Sequence, residues 1–327
     1  MEGTYVKAVV FESFGGPEVL SLKEVPDPPL AQGTVIVRMK AIGLNYADIY
    51  RRRGNYHLAG KPPYILGYEG AGVVEQVAPD VTGLKPGDRI GFADVPFANA
   101  ELVAVPEEKA VPLPAGIAFE QAAALLLQGL TAHYLVHDSY QVKPGDGVLV
   151  HAAAGGVGQL LVQLCKANGA RVLGLTSSEA KRQTALAAGA DDVLLYEGDW
   201  VERALAWSNG GKGADVAYDS VGATLMDSFR AVRIKGTVVF YGMAGGNPPL
   251  VDPRMLMDES KTLTGGDLWN HVTTREERLR RAGELFDAIM AGTVKLDPPT
   301  SFPLREAASA HRLMESRAST GKILLIP

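Results

Sequence analysis

Residues 149–158 (LVHAAAGGVG) constrain the fold of this 327-residue chain more than any other stretch. An apolar run at residues 148–150 leads into small residues and glycines, and a helical pattern of apolar residues follows Gly158. A strand, a tight turn and a helix in this order bring backbone N–H groups and the positive end of the helix to one point. The stretch therefore predicts a Rossmann-type unit that binds the pyrophosphate of a dinucleotide.

The glycine pattern of this stretch departs from the standard G-x-G-x-x-G fingerprint. Gly155 and Gly158 have the spacing of its second and third glycines, whereas Ala153 stands at the first position. The alternative interpretation is a tight strand-to-helix turn without a ligand. We favour cofactor binding because the alternating strands and helices downstream are typical of a dinucleotide-binding unit.

Two patterns of secondary structure divide the chain. From residue 5 to about residue 112, short apolar strands are broken by glycine and proline, which predicts a barrel-like or sandwich domain. From residue 148 onward six predicted strands alternate with helices, which indicates an α/β unit with a doubly wound parallel sheet. A last apolar strand, residues 322–326, is expected to return to the first domain. We therefore assign residues 1–127 and 267–327 to a β-rich domain and residues 128–266 to the Rossmann domain.

Composition excludes several classes of function. The net charge is −5, which argues against nucleic acid as a partner because phosphate binding needs a basic face. A single cysteine permits neither an internal disulfide nor a zinc cage of cysteines. No apolar stretch approaches the roughly 18 residues that a membrane span requires, and the first residues lack a secretory pattern. We expect a cytoplasmic protein.

The exit of the second Rossmann strand distinguishes the two nicotinamide cofactors. NAD sites place an acidic residue there, about 20 positions past the glycines, to bind the ribose hydroxyls. This chain has Ser177 and Ser178 instead, with Lys181 one helical turn further on. Hydroxyls and a cation suit the 2′-phosphate of NADPH, which we favour over NADH. In the alternative interpretation one serine only caps the next helix and Lys181 is a solvated surface residue.

Several motifs, in order along the chain, resemble one protein family. They are residues 41–48 (AIGLNYAD), 67–72 (GYEGAG), 145–166 around the glycine turn, 218–222 (YDSVG), 315–318 (ESRA) and 324–327 (LLIP). Together they resemble the zinc-free quinone oxidoreductase, or ζ-crystallin-like, branch of the medium-chain dehydrogenase/reductase superfamily. The resemblance implies a GroES-like catalytic domain beside the Rossmann NADPH-binding domain, with a six-stranded parallel sheet, and NADPH-dependent reduction of quinones.

The same resemblance accounts for the absence of zinc ligands. Zinc-dependent relatives have a cysteine ligand where this chain has Asn45 and a histidine where it has Tyr68, so that only Glu69 of the constellation remains. A catalytic zinc would have too few ligands here. A quinone or enone suits a metal-free site, because the charge that accompanies hydride addition is delocalised.

The resemblance also implies residues of the site. Asn45, Tyr50 and Tyr56 are expected to hold the nicotinamide or the acceptor and are the catalytic candidates, whereas Asp48 could equally cap a helix. Tyr196, Tyr241 and Gly242 follow strand ends at the carboxyl edge of the sheet, where adenine or ribose contacts are expected. The remaining predicted cofactor contacts are Thr131, Ala154, Gly155, Gly156, Val157, Gly158, Ser220 and Arg317.

Two other functions remain open at this point. One keeps NADPH but makes the acceptor an alkenal or enone, with reduction of a C=C bond. The other is an NADPH-binding structural or RNA-binding role of the ζ-crystallin type. We also expect a homodimer, in which the apolar residues 238–240 near the sheet edge extend the sheet across a two-fold axis.

Overall fold

The computed structural model describes residues 4–327 of the chain. Numbered in chain order, its strands are β1 (Tyr5–Phe11), β2 (Ser21–Pro26), β3 (Thr34–Gly43), β4 (Tyr64–Ile65), β5 (Glu69–Val77), β6 (Arg89–Ala93), β7 (Leu102–Pro106), β8 (Val111–Pro112), β9 (Gly147–Val150), β10 (Arg171–Thr176), β11 (Asp192–Leu195), β12 (Ala214–Asp219), β13 (Val232–Phe240), β14 (Thr262–Gly265), β15 (Thr300–Pro303) and β16 (Ile323–Ile326).

The α-helices are α1 (Tyr46–Arg52), α2 (Phe119–Tyr134), α3 (Gly156–Ala167), α4 (Glu179–Ala187), α5 (Trp200–Trp207), α6 (Leu225–Ala231), α7 (Pro253–Glu259), α8 (Leu268–His271), α9 (Arg275–Met290) and α10 (Ala307–Glu315). A π-helical turn, Leu135–Ser139, directly follows α2. Residues 4–327 contain no helix with both the length and the apolar character needed to cross a membrane.

The first compact unit comprises residues 1–127, 273–290 and 296–327, of which residues 4 onward are described. Its larger sheet has the strand order β15-β16-β3-β5-β6-β8, with β7 also paired to β3, and a smaller sheet has the order β2-β1-β4. Seven of the ten residues of β3 are buried, and the two exposed residues, Arg38 and Lys40, lie on the same face of the strand. As expected, the C-terminal strand β16 pairs with β3 of this unit.

The second unit comprises residues 128–272 and 291–295. Its six-stranded sheet has the order β11-β10-β9-β12-β13-β14, and every neighbouring pair is parallel. All four residues of the central strand β9 are buried, which suits a strand covered on both faces. This sheet confirms the predicted Rossmann fold with its doubly wound, six-stranded parallel sheet.

The second boundary differs from the one derived from the sequence. Residues 267–272 and 291–295 belong to the second unit, whereas we had assigned them to the β-rich domain. Two contacts account for the difference: His271 stacks on Tyr134 with ring centroids 4.2 Å apart, and the Gln163 side chain bonds both to the N–H and to the carbonyl of Lys295. Such contacts join residues that are distant in sequence and leave no local signal.

The edge of the parallel sheet also differs from the expectation. Residues 238–240 lie in β13, which pairs with β12 on one side and with β14 on the other. The outermost strand on this side of the sheet is therefore β14, and β11 is outermost on the other side.

Candidate functional site

The glycine turn between β9 and α3 has the geometry that an anion site needs. Gly155 is the N-cap of α3, and Ala152 has a φ of 48°, in the left-handed region that alanine seldom adopts. A Cβ atom on Gly158 would collide with the Ala152 carbonyl oxygen, so this position requires glycine. The first N–H groups of α3 have no partners within the helix, which leaves them suited to a phosphate.

The unusual Ala153 is accommodated by the neighbouring strand. Ala153 is fully buried, and its N–H donates to the Leu175 carbonyl at 3.0 Å. On the same strand, β10, a Cβ atom on Gly174 would lie 2.9 Å from the Ala153 Cβ atom. Gly174 on β10 thus leaves the space that the methyl group of Ala153 occupies.

Six of the predicted cofactor residues lie at one edge of the parallel sheet. Each of them directly follows a strand: Ser177 and Ser178 follow β10, Tyr196 follows β11, Ser220 follows β12, and Tyr241 and Gly242 follow β13. Because these strands are parallel, their carboxyl ends meet at the edge where the glycine turn leaves β9. The structure thus brings these residues to the same edge as the turn, and their contacts with a cofactor stay predictions.

The exit of β10 has the polar groups that suit the 2′-phosphate of NADPH. Ser178 is the N-cap of α4, where its hydroxyl accepts the N–H of Lys181 at 3.4 Å, and Ser177 is exposed beside it. The nearest carboxylate, Glu179, accepts hydrogen bonds from Gln183 at 3.0 Å and from Arg182 at 3.3 Å, which lower its pKa. The capping role and a phosphate-binding role are compatible for Ser178.

A buried chain of hydrogen bonds, here called the histidine network, starts at the glycine turn. The Ala152 N–H donates to the Tyr196 hydroxyl at 2.9 Å, and this hydroxyl lies 3.2 Å from His151 Nδ1. His151 Nε2 lies 2.9 Å from the Ser228 hydroxyl, which donates to Asp219 Oδ2 at 2.7 Å. The network therefore connects the backbone of the turn with a carboxylate at the end of β12.

The hydrogens of this network can be placed so that His151 is neutral. Because Ser228 gives its hydrogen to Asp219, its oxygen must accept from His151, which places the imidazole hydrogen on Nε2. The other nitrogen, Nδ1, then accepts from the Tyr196 hydroxyl, which itself accepts from Ala152. The imidazole in this arrangement is neutral, and each donor has one acceptor.

Burial and hydrogen bonding assign the charges in the network. Burial lowers the pKa of His151 and favours the neutral ring. Burial alone would raise the pKa of Asp219, but its interactions with His151 and the hydrogen bonds from Ser228, Gly222 and Thr224 together lower it. Asp219 is therefore the single charged group, and it stands at one end of a chain of neutral groups.

In the first unit, strand register brings three distant segments together. Strand β3 pairs antiparallel with both β5 and β16, with Ile42 opposite Gly70 and Gly43 opposite Leu324. The residues that follow β3, begin β5 and precede β16 are therefore neighbours at one end of the sheet.

These three residues form a buried group that we call the lysine network. Lys322 Nζ donates to Glu69 Oε2 at 2.6 Å and to Asn45 Oδ1 at 2.9 Å. The Asn45 amide nitrogen donates to the same Glu69 oxygen at 2.9 Å and to the Gly43 carbonyl at 3.3 Å. The other oxygen of Glu69 accepts the Leu127 N–H at 2.6 Å. Asn45 is only 5 % exposed, so that its amide is part of the interior.

Helix α1 begins at this network and carries a second charged pair. Asn45 is the N-cap of α1, and its N–H donates to Asp48 Oδ2 at 3.0 Å, so Asp48 does cap the helix. The other oxygen of Asp48 lies 3.3 Å from an Arg51 nitrogen. Burial raises the pKa of Asp48, and the positive charges of Arg51 and Lys322 oppose that shift.

The two tyrosines predicted for the site lie close together beside α1. Tyr50 is on the helix and Tyr56 follows it, with ring centroids 6.4 Å apart in an edge-to-face arrangement. The Arg51 guanidinium lies 5.0 Å from the centre of the Tyr56 ring and 3.6 Å from that of Tyr68. Tyr50 and Tyr56 are half-buried, and this cationic contact orients Tyr56.

Two predicted cofactor residues lie elsewhere in their units. Thr131 is half-buried on α2, and Arg317 is exposed just after α10 with a φ of 57°. Their roles stay predictions.

Lys322 and His151 were not among the predicted site residues. Lys322 directly precedes the apolar residues 323–326, and a lysine next to a buried strand indicates a buried partner. His151 stands between an apolar run and the small residues of the turn, where burial of a polar ring was foreseeable. The partners of both residues are set by the fold.

The side chains described in residues 4–327 include no cluster of three or more His, Cys, Asp or Glu that could hold a metal ion. Positive charge next to Glu69 comes from Lys322 instead.

Comparison with known proteins places the chain in a family. The model for the alcohol dehydrogenase GroES-like domain matches residues 31–147, and the model for zinc-binding dehydrogenases matches residues 156–284. Quinone oxidoreductase 1 of Escherichia coli is 40 % identical over 328 residues, covering 98 % of this chain and 99 % of the relative. The chain belongs to the quinone oxidoreductase branch of the medium-chain dehydrogenases/reductases.

Other comparisons agree with this assignment. A solved structure of E. coli quinone oxidoreductase in complex with NADPH aligns with a TM-score of 0.95 at 40 % identity, covering 98 % of this chain and all of the other. The 2-haloacrylate reductase of a Burkholderia species is 37 % identical over 333 residues, covering 98 % of this chain and 99 % of that protein. Membership of the quinone oxidoreductase branch confirms the resemblance and the GroES-like domain inferred from the sequence.

Proposed function

We propose that this member of the quinone oxidoreductase branch reduces quinones with NADPH and uses no metal. One observation carries the proposal: a glycine turn and a strand exit with serines and Lys181 occur in a chain 40 % identical to a quinone oxidoreductase whose structure contains NADPH. The donors at the end of β10 fit a phosphate better than they fit two ribose hydroxyls.

The Rossmann unit supplies the groups that hold the cofactor. N–H groups of the turn at residues 154–158 bind the pyrophosphate at the start of α3. Ser177, Ser178 and Lys181 bind the 2′-phosphate, and Tyr196 is held beside the turn by its hydrogen bond with Ala152. When bound, NADPH supplies a hydride to an electrophilic carbon of a conjugated acceptor.

The first unit supplies the acceptor side of the site. Both amide hydrogens of Asn45 already have acceptors, Glu69 and Gly43, so this amide shapes the site through its fixed position. Tyr50 and Tyr56 are half-buried and form the surface that contacts the flat ring of the nicotinamide or acceptor.

Reduction of a C=C bond is the second candidate function. The 37 % identity with 2-haloacrylate reductase, over 98 % of this chain, favours an acceptor with a conjugated carboxylate or carbonyl group. Quinones and such alkenes share a conjugated electrophilic carbon, so one hydride donor serves both.

An acceptor panel tests the function. Purified protein is assayed for NADPH oxidation with 1,4-benzoquinone, a naphthoquinone, 2-chloroacrylate and an alkenal. We expect quinones to give the highest kcat/KM. Faster turnover of 2-chloroacrylate or the alkenal would favour the second function. If none of the four acceptors stimulates NADPH oxidation, both functions are overturned.

A lysine variant tests the cofactor preference. Lys181→Ala should weaken NADPH binding by about 1–3 kcal/mol and leave NADH binding unchanged, because only NADPH carries the 2′-phosphate. Lys212→Ala, an exposed lysine of the same unit, is the control. Equal NADPH affinity in Lys181→Ala and the wild type would refute the assignment.

Metal analysis tests the metal-free mechanism. We expect less than stoichiometric zinc in purified protein and unchanged quinone reduction after treatment with a chelator. Activity that disappears with a chelator and returns with zinc would contradict the proposal.

We further propose a cytoplasmic homodimer. Strand β14 is one of the two outermost strands of the parallel sheet, and the large apolar side chains of Ile234, Leu250 and Met257 in the same unit are exposed. Light scattering should give twice the chain mass of 34.7 kDa, whereas a mass of one chain would refute the dimer. Cell fractionation tests the location.

A further inference from the structure

The lysine network is the strongest feature that the proposed function leaves without a role. The side chain of Lys322 is 4 % exposed and that of Glu69 is fully buried. Burying two ions is costly even when they are paired, and an apolar pair of similar size is often as stable. Stability alone therefore gives no reason for this ion pair.

The hydrogen bonds of the network leave Asn45 a single orientation. The amide oxygen accepts from Lys322, while the amide nitrogen donates to Glu69 and Gly43. A flipped amide would place its NH₂ group against the ammonium and its oxygen against the carboxylate. The charge pair thus determines how the N-cap of α1 is oriented.

Helix α1 connects Asn45 with Tyr50 and Tyr56. Asn45 caps the helix, and Tyr50 lies one turn further along it. Asp48 and Arg51 are the other charged groups that face the network from α1, and they pair with each other. Lys322 therefore controls the start of the element that carries the predicted acceptor surface.

We propose that Lys322 is a positioning residue for the reaction: by pairing with Glu69 it fixes the Asn45 amide and the start of α1. This inference rests on the proposed function, because the surface positioned is the one assigned to the acceptor. The ammonium serves as the counter-charge of Glu69, and it acts on the acceptor through Asn45 and α1.

Four variants test the inference. Lys322→Met removes the charge at similar length, Lys322→Arg keeps it, and Glu69→Gln removes the opposite charge. The double variant Lys322→Met/Glu69→Gln removes both. Lys261→Met is the matched control, because Lys261 is also a buried lysine paired with a glutamate but belongs to the other unit.

Thermal unfolding tests the ion pair without any assay of activity. Each single variant leaves one buried charge without its opposite charge, so Lys322→Met and Glu69→Gln should each lower Tm relative to the wild type. The double variant buries neither charge, so its Tm should be higher than the two single losses together predict.

Hydrogen exchange and kinetics test positioning. In Lys322→Met, amides of residues 45–53 should exchange faster while those of the second unit stay unchanged. Near neutral pH, kcat for a quinone should fall by about 10- to 100-fold, with NADPH affinity changed less than about threefold. Lys322→Arg should recover part of the loss, and Lys261→Met should match the wild type.

The outcomes separate the two proposals. If the wild type oxidises no NADPH with any acceptor, the proposed function fails, and exchange at residues 45–53 still decides positioning. Unchanged exchange there, or wild-type kcat in a folded Lys322→Met protein, overturns the inference. If the Tm loss of the double variant equals the sum of the losses of the two single variants, the ion pair on which the inference depends is overturned.

Discussion

Each unit of this chain buries one polar network next to residues with a predicted role in the site, and the two are built differently. The lysine network joins two full and opposite charges, Lys322 and Glu69, through one amide. The histidine network has one full charge, Asp219, followed by a chain of neutral donors and acceptors. The charge of Glu69 is neutralised by Lys322, whereas the charge of Asp219 is stabilised by hydrogen bonds.

The difference determines how each network can fail. Removing either ion of the lysine network leaves the other buried without an opposite charge beside it. In the histidine network four donors share the charge of Asp219, since it also accepts from Thr224 and from the N–H groups of Val221 and Gly222. Its imidazole is vulnerable to acid, because burial lowers the pKa of His151.

The largest effect is expected when the single charge of the histidine network is removed. Asp219→Ala removes the acceptor of four hydrogen bonds, two of them buried, and should lower the free energy of unfolding of the second unit by about 3–5 kcal/mol. All three tryptophans belong to that unit, so tryptophan fluorescence in a denaturant titration reports its unfolding.

Asp227→Ala is the control for this measurement. Asp227 is on α6 of the same unit, but its ion pair with Arg230 is exposed, so the change should be within about 1 kcal/mol. If Asp219→Ala and Asp227→Ala lowered the free energy of unfolding by similar amounts, burial would not explain the larger effect expected at Asp219.

The second prediction concerns pH. Burial lowers the pKa of His151, so its contribution to stability is complete above the ordinary histidine pKa of about 6.5 and is lost as pH falls toward the folded value. Below about pH 6.5 the second unit should lose up to about 1.4 kcal/mol per pH unit from this residue.

Fluorescence-monitored unfolding at several pH values checks this slope. His151→Gln should reduce the slope below pH 6.5, whereas His137→Gln should leave it unchanged because that ring is exposed in the same unit. Identical slopes in the wild type and His151→Gln would mean that the imidazole is not held neutral.

The third prediction concerns the link between the histidine network and the glycine turn. Tyr196→Phe removes the acceptor of the Ala152 N–H and the donor to His151. The loss of the hydrogen bond with the Ala152 N–H should weaken NADPH binding by about 1 kcal/mol, or roughly fivefold in Kd.

Isothermal titration with NADPH measures this effect. Tyr140→Phe is the matched control, because it removes a tyrosine hydroxyl that bonds to Asp146 in the same unit. Equal affinity in both variants would break the proposed link between the network and the cofactor.

Local patterns in the sequence were enough to predict the parallel sheet. The apolar residues 148–150 and the glycines that follow them specify strand, turn and helix within one short segment, and the structure has β9 and α3 there. The exit of β10, with Ser178 capping α4, is equally local.

The lysine network could not be predicted, because it depends on strand register. Lys322 and Glu69 are 253 residues apart, and they meet only because β3 pairs with both β5 and β16. Ser228 and His151 are 77 residues apart and meet through the packing of α6. The family resemblance implied a direct role for Asn45, and only its buried partners indicate a positioning one.

The smallest effect is expected at an exposed polar group. Ser178 caps α4 through one long hydrogen bond of 3.4 Å, and its side chain is in solvent. Ser178→Ala should lower the free energy of unfolding of the second unit by about 0.5–1 kcal/mol, and Ser178→Gly by a few tenths, since water replaces the lost partner. The same fluorescence titration measures both. If Ser178→Ala cost as much as Asp219→Ala, burial would not be what makes the histidine network costly to break, and the contrast between buried and exposed polar groups would fail.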